Sequence, residues 1–263
     1  MSGCIVPVAN SIAMNMTHHI TALLLVGGKG TRLSSVVPGL PKPLASVGNR
    51  PFLELLVLQL RHQGIRHLVM CTGHLADQIE NEFGDGGDLD IEIRYSREPR
   101  PLGTAGAVKL AQDCLQNAAD FLVMNGDSFL QIDFCQLIGF HRQHGGSVSM
   151  AVLRAENAHR YGTVETDQRG RVIAFMEKTG REVAGLVNAG VYVFNRAVLD
   201  YLPEAPASLE REVFPRLLDQ RMYALEQHGL FIDIGTPEDF ARAQTMGECL
   251  RQAALSREIL SFT

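Results

Sequence analysis

The sequence lacks tryptophan altogether, and aromatic residues make up only 6% of its 263 residues. Such a small supply of aromatic rings argues against a surface on which nucleic-acid bases stack. The net charge of −5 also argues against a nucleic-acid binder that works through bulk positive charge. No run of about 18 apolar residues occurs, so the sequence predicts no transmembrane helix. We therefore expect neither a nucleic acid nor a membrane as partner.

Cysteine is sparse and irregularly placed. The five cysteines are Cys4, Cys71, Cys114, Cys135 and Cys249, and no two have C-x-x-C spacing. An odd number without that spacing fits neither a zinc site nor a complete set of disulfides, so we predict a reducing, cytoplasmic location. The first 19 residues contain no lysine or arginine and make a poor secretory signal. We predict a flexible arm over residues 1–19 and one domain over residues 20–263.

Strand-like and helix-like segments alternate along the first half of the domain. The strand-like segments are residues 20–26, 67–72, 91–95 and 121–124, and the helical ones are residues 51–63, 75–83, 104–115 and 134–144. Such alternation predicts an α/β fold, a Rossmann-like, mostly parallel sheet flanked by helices. Beyond residue 147, shorter strand-like segments predict a small mixed-strand portion, followed by helices over residues 208–221 and from Thr236 onward.

Only four of the 24 basic residues are lysines, and one of them follows a glycine-rich segment. Residues 27–33 read GGKGTRL directly after the first strand, and glycines there let backbone amides approach phosphate oxygens. Lys42 stands ten residues beyond Arg32, between two prolines that stiffen the chain. The two side chains fit a phosphate site, although a structural turn and a surface lysine would each explain one segment alone.

Two aspartates follow or end apolar strands. Asp127 comes after the strand at residues 121–124, and Asp233 lies within the apolar segment FIDIG. Carboxylates at the carboxyl ends of strands are suited to hold Mg²⁺ against phosphates. The alternative for each is a turn or helix-capping aspartate.

Polar side chains also end one later strand-like segment and lie within another. These are Glu177 and Lys178, and Asn188 in the apolar stretch VNAGV. Glutamate and asparagine are common partners of sugar hydroxyls, and lysine can hold a sugar phosphate. A surface ion pair and a sheet-edge asparagine are the structural alternatives.

Taken together and in order, these segments resemble the sugar-1-phosphate nucleotidylyltransferases. The resemblance covers residues 21 to 244 and rests on residues 27–33 (GGKGTRL), 41–43 (PKP), 101–106 (PLGTAG), 126–127 (GD), 160–164 (RYGTV), 177–178 (EK), 188–190 (NAG) and 233–237 (DIGTP). The residues of these motifs are most similar to those of bacterial D-glycero-D-manno-heptose 1-phosphate guanylyltransferases. They also resemble those of mannose-1-phosphate guanylyltransferases and of uridylyl- or thymidylyltransferases of the same family.

The resemblance implies transfer of a nucleoside monophosphate, GMP being favoured, from a triphosphate to a sugar 1-phosphate, with release of pyrophosphate. GTP and a heptose 1-phosphate would be the substrates and Mg²⁺ the cofactor, and the activated sugar would be used for surface polysaccharide synthesis. The resemblance leaves open whether the protein forms a homodimer. The roles it implies are Arg32, Lys42 and Lys178 on the phosphates, Gly27, Gly28, Gly30, Thr31, Gly103 and Thr104 on the nucleotide, Gly162, Glu177 and Asn188 on the sugar, and Asp127 and Asp233 on the metal.

Two other classes of protein fit the sequence less well. A metal-dependent glycosyltransferase needs D-x-D after an apolar strand, whereas Asp127 is followed by serine and phenylalanine. A non-catalytic subunit that binds nucleotide sugars and regulates a partner could dispense with Arg32, Lys42, Asp127 and Asp233, yet all four are present. The sequence therefore favours the transferase.

Overall fold

The computed structural model describes residues 17–115, 118–158, 161–176, 184–204 and 206–257. Within these ranges the folded domain begins before residue 20, which was the predicted boundary between the arm and the domain. Thr17 is fully buried, and its Oγ1 donates a hydrogen bond of 2.9 Å to the carbonyl of Gln63. Residues 17–19 of the predicted arm are thus attached to the domain, and residues 1–16 lie outside the described residues.

Strands and helices alternate as the hydrophobic pattern predicts. The strands are β1 (Thr21–Leu25), β2 (Ser46–Val47), β3 (Arg50–Pro51), β4 (His67–Thr72), β5 (Glu92–Arg97), β6 (Asp120–Asn125), β7 (Ser128–Leu130), β8 (Val148–Ala155), β9 (Thr163–Thr166), β10 (Val172–Met176), β11 (Gly185–Asn195), β12 (Met222–Gln227) and β13 (Phe231–Asp233). The α-helices are α1 (Phe52–His62), α2 (Ala76–Phe83), α3 (Gly103–Leu110), α4 (Phe134–His144), α5 (Phe214–Leu217), α6 (Pro237–Thr245) and α7 (Gly247–Ala254).

One half of the main sheet is parallel and the other is mixed. The parallel half has the order β6-β1-β4-β5, with helices in the connections. In the other half, β11 is antiparallel to β6, β8 and β9, while β10 pairs with β9 and β12 runs parallel to β8. The predicted α/β sheet with a mixed-strand portion is confirmed.

Buried side chains of β1 point alternately into two apolar layers, as expected for a strand covered on both faces. Ala22 and Leu24 belong to a buried cluster that includes residues of α1, α2, α4, α6 and α7. Leu23 belongs to a second cluster, with residues of α3 and α5. The central strands are therefore held between helices on both sides. None of the helices in the described part of the chain has the length and apolar character needed to cross a membrane.

The helix predicted over residues 208–221 is wrong as a single element. A π-helical turn spans Leu209–Val213, α5 follows, and a 3-10 turn covers Leu218–Gln220. Pro215 has no backbone N–H, so it fits near the start of the short helix α5 but cannot donate the hydrogen bond that one helix over residues 208–221 would need there. Ser208, Glu210 and Arg211 lie at the edge of a cavity described below.

Two buried glutamine side chains attach α1 to the segment that leaves β7. Gln59 Nε2 donates to the carbonyl of Leu130 over 2.8 Å, and Gln63 Nε2 donates to that of Ile132 over 2.7 Å. Gln63 Oε1 also accepts a hydrogen bond of 2.9 Å from the amide of Phe134. These bonds satisfy buried backbone groups that lie outside regular pairing. They fix β7, which directly follows Asp127, against the core.

We predict that Gln63→Leu lowers the free energy of unfolding by about 2–4 kcal/mol, because two buried backbone groups lose their partners. The matched control is Gln143→Leu on the exposed face of α4, which should change stability by less than about 0.5 kcal/mol. Urea unfolding of both variants measures the difference. Equal losses would contradict the role assigned to Gln63.

Candidate active site

Three adjoining cavities open where β1 and β6 end. Because these strands pair in parallel and in register, Leu25 lies opposite both Asn125 of β6 and Cys71 of β4. The cavities measure about 220, 300 and 280 Å³, and we call them the Lys42, Glu98 and Asn188 cavities after one lining residue each. Asp127 lines the first two, and Asn125 lines the second and third. A ligand with several parts could therefore occupy more than one of them.

The Lys42 cavity is formed by the glycine-rich loop after β1 and by the Pro41–Pro43 segment. Its lining includes Arg32 and Lys42, which were predicted to hold phosphates, and Gly28, Gly30 and Thr31, which were predicted to bind the nucleotide. Gly30 has a φ of +59°, and a Cβ there would lie 3.1 Å from the Cβ of Lys42. A glycine at this position lets the loop approach the lysine closely.

Lys42 and Asp127, which both line the Lys42 cavity, form an ion pair. The lysine side chain is 11% exposed and the aspartate side chain 36% exposed. Asp233 is close by, since a Cβ on Gly235 would lie 2.5 Å from Asp233 Oδ1 and 3.6 Å from Lys42 Nζ. The antiparallel pairing of β7 with β13 produces this approach, and the amide of Ile234 donates to the carbonyl of Asp127 over 2.9 Å.

The donor chemistry of Asp127 and Asp233 suits Mg²⁺. This ion is commonly bound through one or two carboxylates, with substrate phosphates and water as further ligands. The described residues contain no group of three or more histidine, cysteine, aspartate or glutamate side chains able to hold a metal. Two carboxylates beside a cavity lined by Arg32 and Lys42 therefore fit a phosphate-bound magnesium ion better than a metal held by protein alone.

The Glu98 cavity contains a carboxylate that the sequence analysis missed. Glu98 directly follows β5, and the cavity is also lined by Gly27, Gly28, Gly103 and Thr104. Glu98 Oε2 accepts a hydrogen bond of 2.9 Å from the amide of Leu102, and partial burial raises the pKa of this carboxyl above its usual value. Its position after a strand was a usable signal, the same one that pointed to Asp127.

Gly103 holds one wall of the Glu98 cavity against another segment of the chain. It has a φ of +72°, and a Cβ there would overlap the carbonyl oxygen of Ala207. That carbonyl accepts a hydrogen bond of 2.9 Å from Ala105, and the amide of Ala207 donates to Leu102 over 2.8 Å. The start of α3 and the segment at residue 207 are thus fastened together by backbone contacts.

The Asn188 cavity lies on the mixed-strand side. Gly162 and Asn188, both predicted to contact a sugar, line it together with Tyr161, Glu210 and Asp233. The Asn188 side chain donates to Tyr192 Oη over 2.7 Å and accepts from the amide of Gly190 over 3.1 Å, which fixes its orientation. Ser208, Glu210 and Arg211 also line the cavity, although the sequence analysis treated them only as part of a helix. Glu177 and Lys178 lie outside the described residues.

A family model described as "Nucleotidyl transferase" matches residues 21–248. The chain belongs to the nucleotidyl transferase family. In this nucleotidyl transferase, the matched region contains every residue named above as lining the three cavities. Mannose-1-phosphate guanylyltransferase of Mycobacterium tuberculosis is 40% identical over 230 residues, which are 86% of this chain and 64% of that protein. The catalytic subunit beta of the Drosophila melanogaster enzyme is 37% identical over 240 residues, 90% of this chain and 64% of that protein.

The chain thus spans about 64% of the length of these relatives. Among solved structures, HddC from Yersinia pseudotuberculosis complexed with GMP-PN has a TM-score of 0.77 and 29% identity, covering 86% of this chain and 98% of its own. A putative glucose-1-phosphate thymidylyltransferase from Bacillus anthracis has a TM-score of 0.78 over 93% of this chain and 98% of its own. At 20% identity, the second structure supports the fold alone.

We predict that Gly103→Ala destabilises this nucleotidyl transferase more than Gly145→Ala. Both glycines have positive φ, which costs an alanine about 1–2 kcal/mol, but only Gly103 faces backbone, and the space around Gly145 is open. The Gly103 variant should therefore lose at least about 1 kcal/mol more, because backbone segments have to separate. Urea unfolding compares the two, and an equal loss would show that the contact with Ala207 is not tight.

Proposed function

We propose that this protein transfers GMP from GTP to a sugar 1-phosphate and releases pyrophosphate. The observation that carries the proposal is the continuity of the three cavities at one edge of the sheet. A cavity lined by Arg32 and Lys42 suits the phosphates, the Glu98 cavity suits the base, and the polar Asn188 cavity suits the sugar. Family membership and the guanylyltransferase relatives support the same reaction.

The reaction needs positioning and charge neutralisation more than a nucleophilic side chain. A phosphate oxygen of the sugar 1-phosphate forms a bond to the α-phosphorus of GTP while the bond to the bridging oxygen of the β-phosphate breaks. Pyrophosphate leaves with the electron pair of that bond, so no covalent intermediate with the protein is required. Lys42, which is largely buried, would hold the α-phosphate, and the more exposed Arg32 would hold the departing phosphates.

Asp127 and Asp233 would hold Mg²⁺, which when bound supplies positive charge to the phosphates. Asp127 neutralises Lys42, so two opposite charges are kept together beside the Lys42 cavity. A phosphate that binds there can take over Lys42 as its partner, and the carboxylate of Asp127 then becomes available to a cation. Lys178, predicted to hold the sugar phosphate, and Glu177, predicted to contact the sugar, keep these roles as proposals.

Glu98 supports guanine as the base. An ionised carboxylate accepts hydrogen bonds and donates none, and guanine offers two adjacent donors, N1–H and the N2 amino group. Uracil and thymine offer one donor between two acceptors, while adenine and cytosine offer a donor beside an acceptor. The carboxylate therefore matches guanine and leaves unfavourable acceptor pairs with the other bases.

The sugar is proposed to have the D-manno configuration. D-glycero-D-manno-heptose 1-phosphate is favoured by the resemblance of the motifs, and mannose 1-phosphate by the relative that is 40% identical. The two sugars share the ring hydroxyls and differ by one exocyclic carbon with its hydroxyl. An extra carbon is worth only about 1–3 kcal/mol of discrimination, so we expect both to react at different rates. The product would be an activated sugar for surface polysaccharide synthesis.

The cytoplasm is the proposed location. Cys71, Cys114 and Cys249 are free thiols, as a reducing compartment would keep them. Cys71 also lines the Glu98 cavity, and its complete burial raises the pKa of its thiol. The thiol is therefore expected to stay protonated and unreactive in that compartment.

We predict that GTP exceeds UTP, CTP, dTTP and ATP by more than about 100-fold in kcat/KM, and that Glu98→Gln removes most of this preference. The amide of glutamine places a donor where guanine also donates, and its remaining oxygen can accept only one of guanine's hydrogen bonds. The measurement is the initial rate of pyrophosphate release with each triphosphate, using mannose and heptose 1-phosphates as acceptors.

The pH dependence provides a control for the role of Glu98. Burial raises the pKa of this carboxyl, so protonation begins at a higher pH than for an exposed glutamate and removes an acceptor. The KM for GTP should therefore rise as the pH falls towards that pKa in the wild-type protein and stay flat in Glu98→Gln. A preference for UTP or dTTP would contradict the guanylyltransferase proposal. If none of the triphosphates gave pyrophosphate, the proposed transferase activity itself would be contradicted.

We predict that Asp127→Asn and Asp233→Asn each lower kcat by about 100-fold or more and raise the Mg²⁺ concentration needed for half-maximal rate. Each change removes a negative charge beside the Lys42 cavity. The matched control is Asp88→Asn, in the polar turn between α2 and β5, which should leave both quantities unchanged. Titration of Mg²⁺ in the pyrophosphate assay checks this, and wild-type behaviour of both site variants would reject the metal assignment.

A further inference from the structure

A carboxylate in the Asn188 cavity is held by hydroxyl groups through only one of its two oxygens. Glu210 Oε2 accepts hydrogen bonds from Thr104 Oγ1 over 3.0 Å and from Ser208 Oγ over 2.9 Å. Within the described residues, no hydrogen bond or ion pair joins Oε1. Glu210 is half-buried and lines the cavity beside Asn188 and Asp233. The side chain is therefore fixed in direction and retains an acceptor for a ligand.

The segment that carries Glu210 is fastened to the Glu98 cavity. The amide of Leu209 donates to Thr104 Oγ1 over 2.8 Å, so this hydroxyl both accepts and donates hydrogen bonds between the two segments. Thr104 also lines the Glu98 cavity, where its hydroxyl is already engaged. The backbone bonds of Ala207 to Leu102 and Ala105 continue the same attachment. The position of Glu210 thus depends on the wall of the neighbouring cavity.

The chemistry of Glu210 suits a sugar hydroxyl. Both donors to Oε2 are neutral hydroxyls, for which an amide oxygen would serve as well. A carboxylate differs from an amide in the second oxygen, which can accept a charge-assisted hydrogen bond but cannot donate one. Glu212, two residues further on, makes a contrasting contact: its Oε1 accepts from the amide of Ser208 over 3.0 Å, and it does not line the cavity.

We propose that Glu210 is a further sugar-binding residue, whose Oε1 accepts a hydrogen bond from a ring hydroxyl of the sugar 1-phosphate. Thr104 and Ser208 are its positioning residues. The inference rests on the proposed function, because that function assigns the sugar to the Asn188 cavity. Residues 207–211 then help to determine which sugar binds. Through Thr104 they also connect the sugar site to a wall of the nucleoside site.

The first test compares Glu210→Gln with the matched control Glu212→Gln. In Glu210→Gln the amide oxygen can still accept from Thr104 and Ser208, while an amide donor replaces Oε1. Binding of D-mannose 1-phosphate, measured by calorimetry with GTP absent, should weaken by about ten- to 100-fold in Glu210→Gln and by less than about threefold in Glu212→Gln. The KM for GTP should stay within about threefold of wild type in both.

The second test separates direct contact from a structural effect. Wild type, Glu210→Gln and Glu210→Ala are titrated with D-mannose 1-phosphate and with its 2-, 3- and 4-deoxy analogues. If Glu210 contacts one hydroxyl, removing that hydroxyl weakens binding to wild type but has little further effect in the variants. Independent, additive losses for all three analogues would overturn the inference.

Thr104→Val tests the positioning role. It should weaken sugar-phosphate binding by roughly three- to tenfold, because Glu210 and Leu209 both lose a partner. No change in sugar affinity with this variant would overturn the positioning role of Thr104.

Calorimetry also separates the two proposals: sugar binding that depends on Glu210 without pyrophosphate release would reject only the catalytic function. Failure of wild type to bind either mannose or heptose 1-phosphate would reject both.

Discussion

The parallel, in-register pairing of β1 with β4 and β6 is the constraint on which the rest of the site depends. It brings Leu25, Cys71 and Asn125 to one level of the sheet, so the loops that follow these strands start side by side. The glycine-rich loop, Glu98 and Asp127 all leave the sheet at this edge. Helices on both faces bury the strands, and the edge is left for ligands.

Charge at this edge is balanced by pairing between distant parts of the chain. Lys42 and Asp127 are 85 residues apart, yet they meet because β7 is held by Gln59 and Gln63 and by β13. A largely buried lysine without a counter-charge would carry a large desolvation cost. The same core hydrogen bonds that stabilise the fold therefore keep the two charges in contact and, with them, the geometry proposed for the phosphates.

The sequence predicted the parts of the molecule that local pattern determines. Strand and helix order, the glycine loop and Lys42 are visible in apolar spacing, glycine and proline. Glu98 was missed because the strand ahead of it was predicted to end at residue 95, whereas β5 runs to Arg97 and puts Glu98 directly after it. Glu210 could not be found at all, since Thr104 is 106 residues away and a π-helical turn replaces the start of the regular helix expected at residues 208–221. Long-range hydrogen bonds leave no periodic trace in a sequence.

The backbone contact between Gly103 and Ala207 has a consequence for the exchange of substrate preference among relatives. The two segments on either side of that contact interlock through main-chain atoms, and any side chain at position 103 would overlap the carbonyl oxygen of Ala207. A loop grafted from a homologue on one side only would meet a foreign surface on the other. Loops taken from a homologue therefore have to be transplanted as a pair. In natural relatives, we expect a change in one segment to occur together with a compensating change in the other.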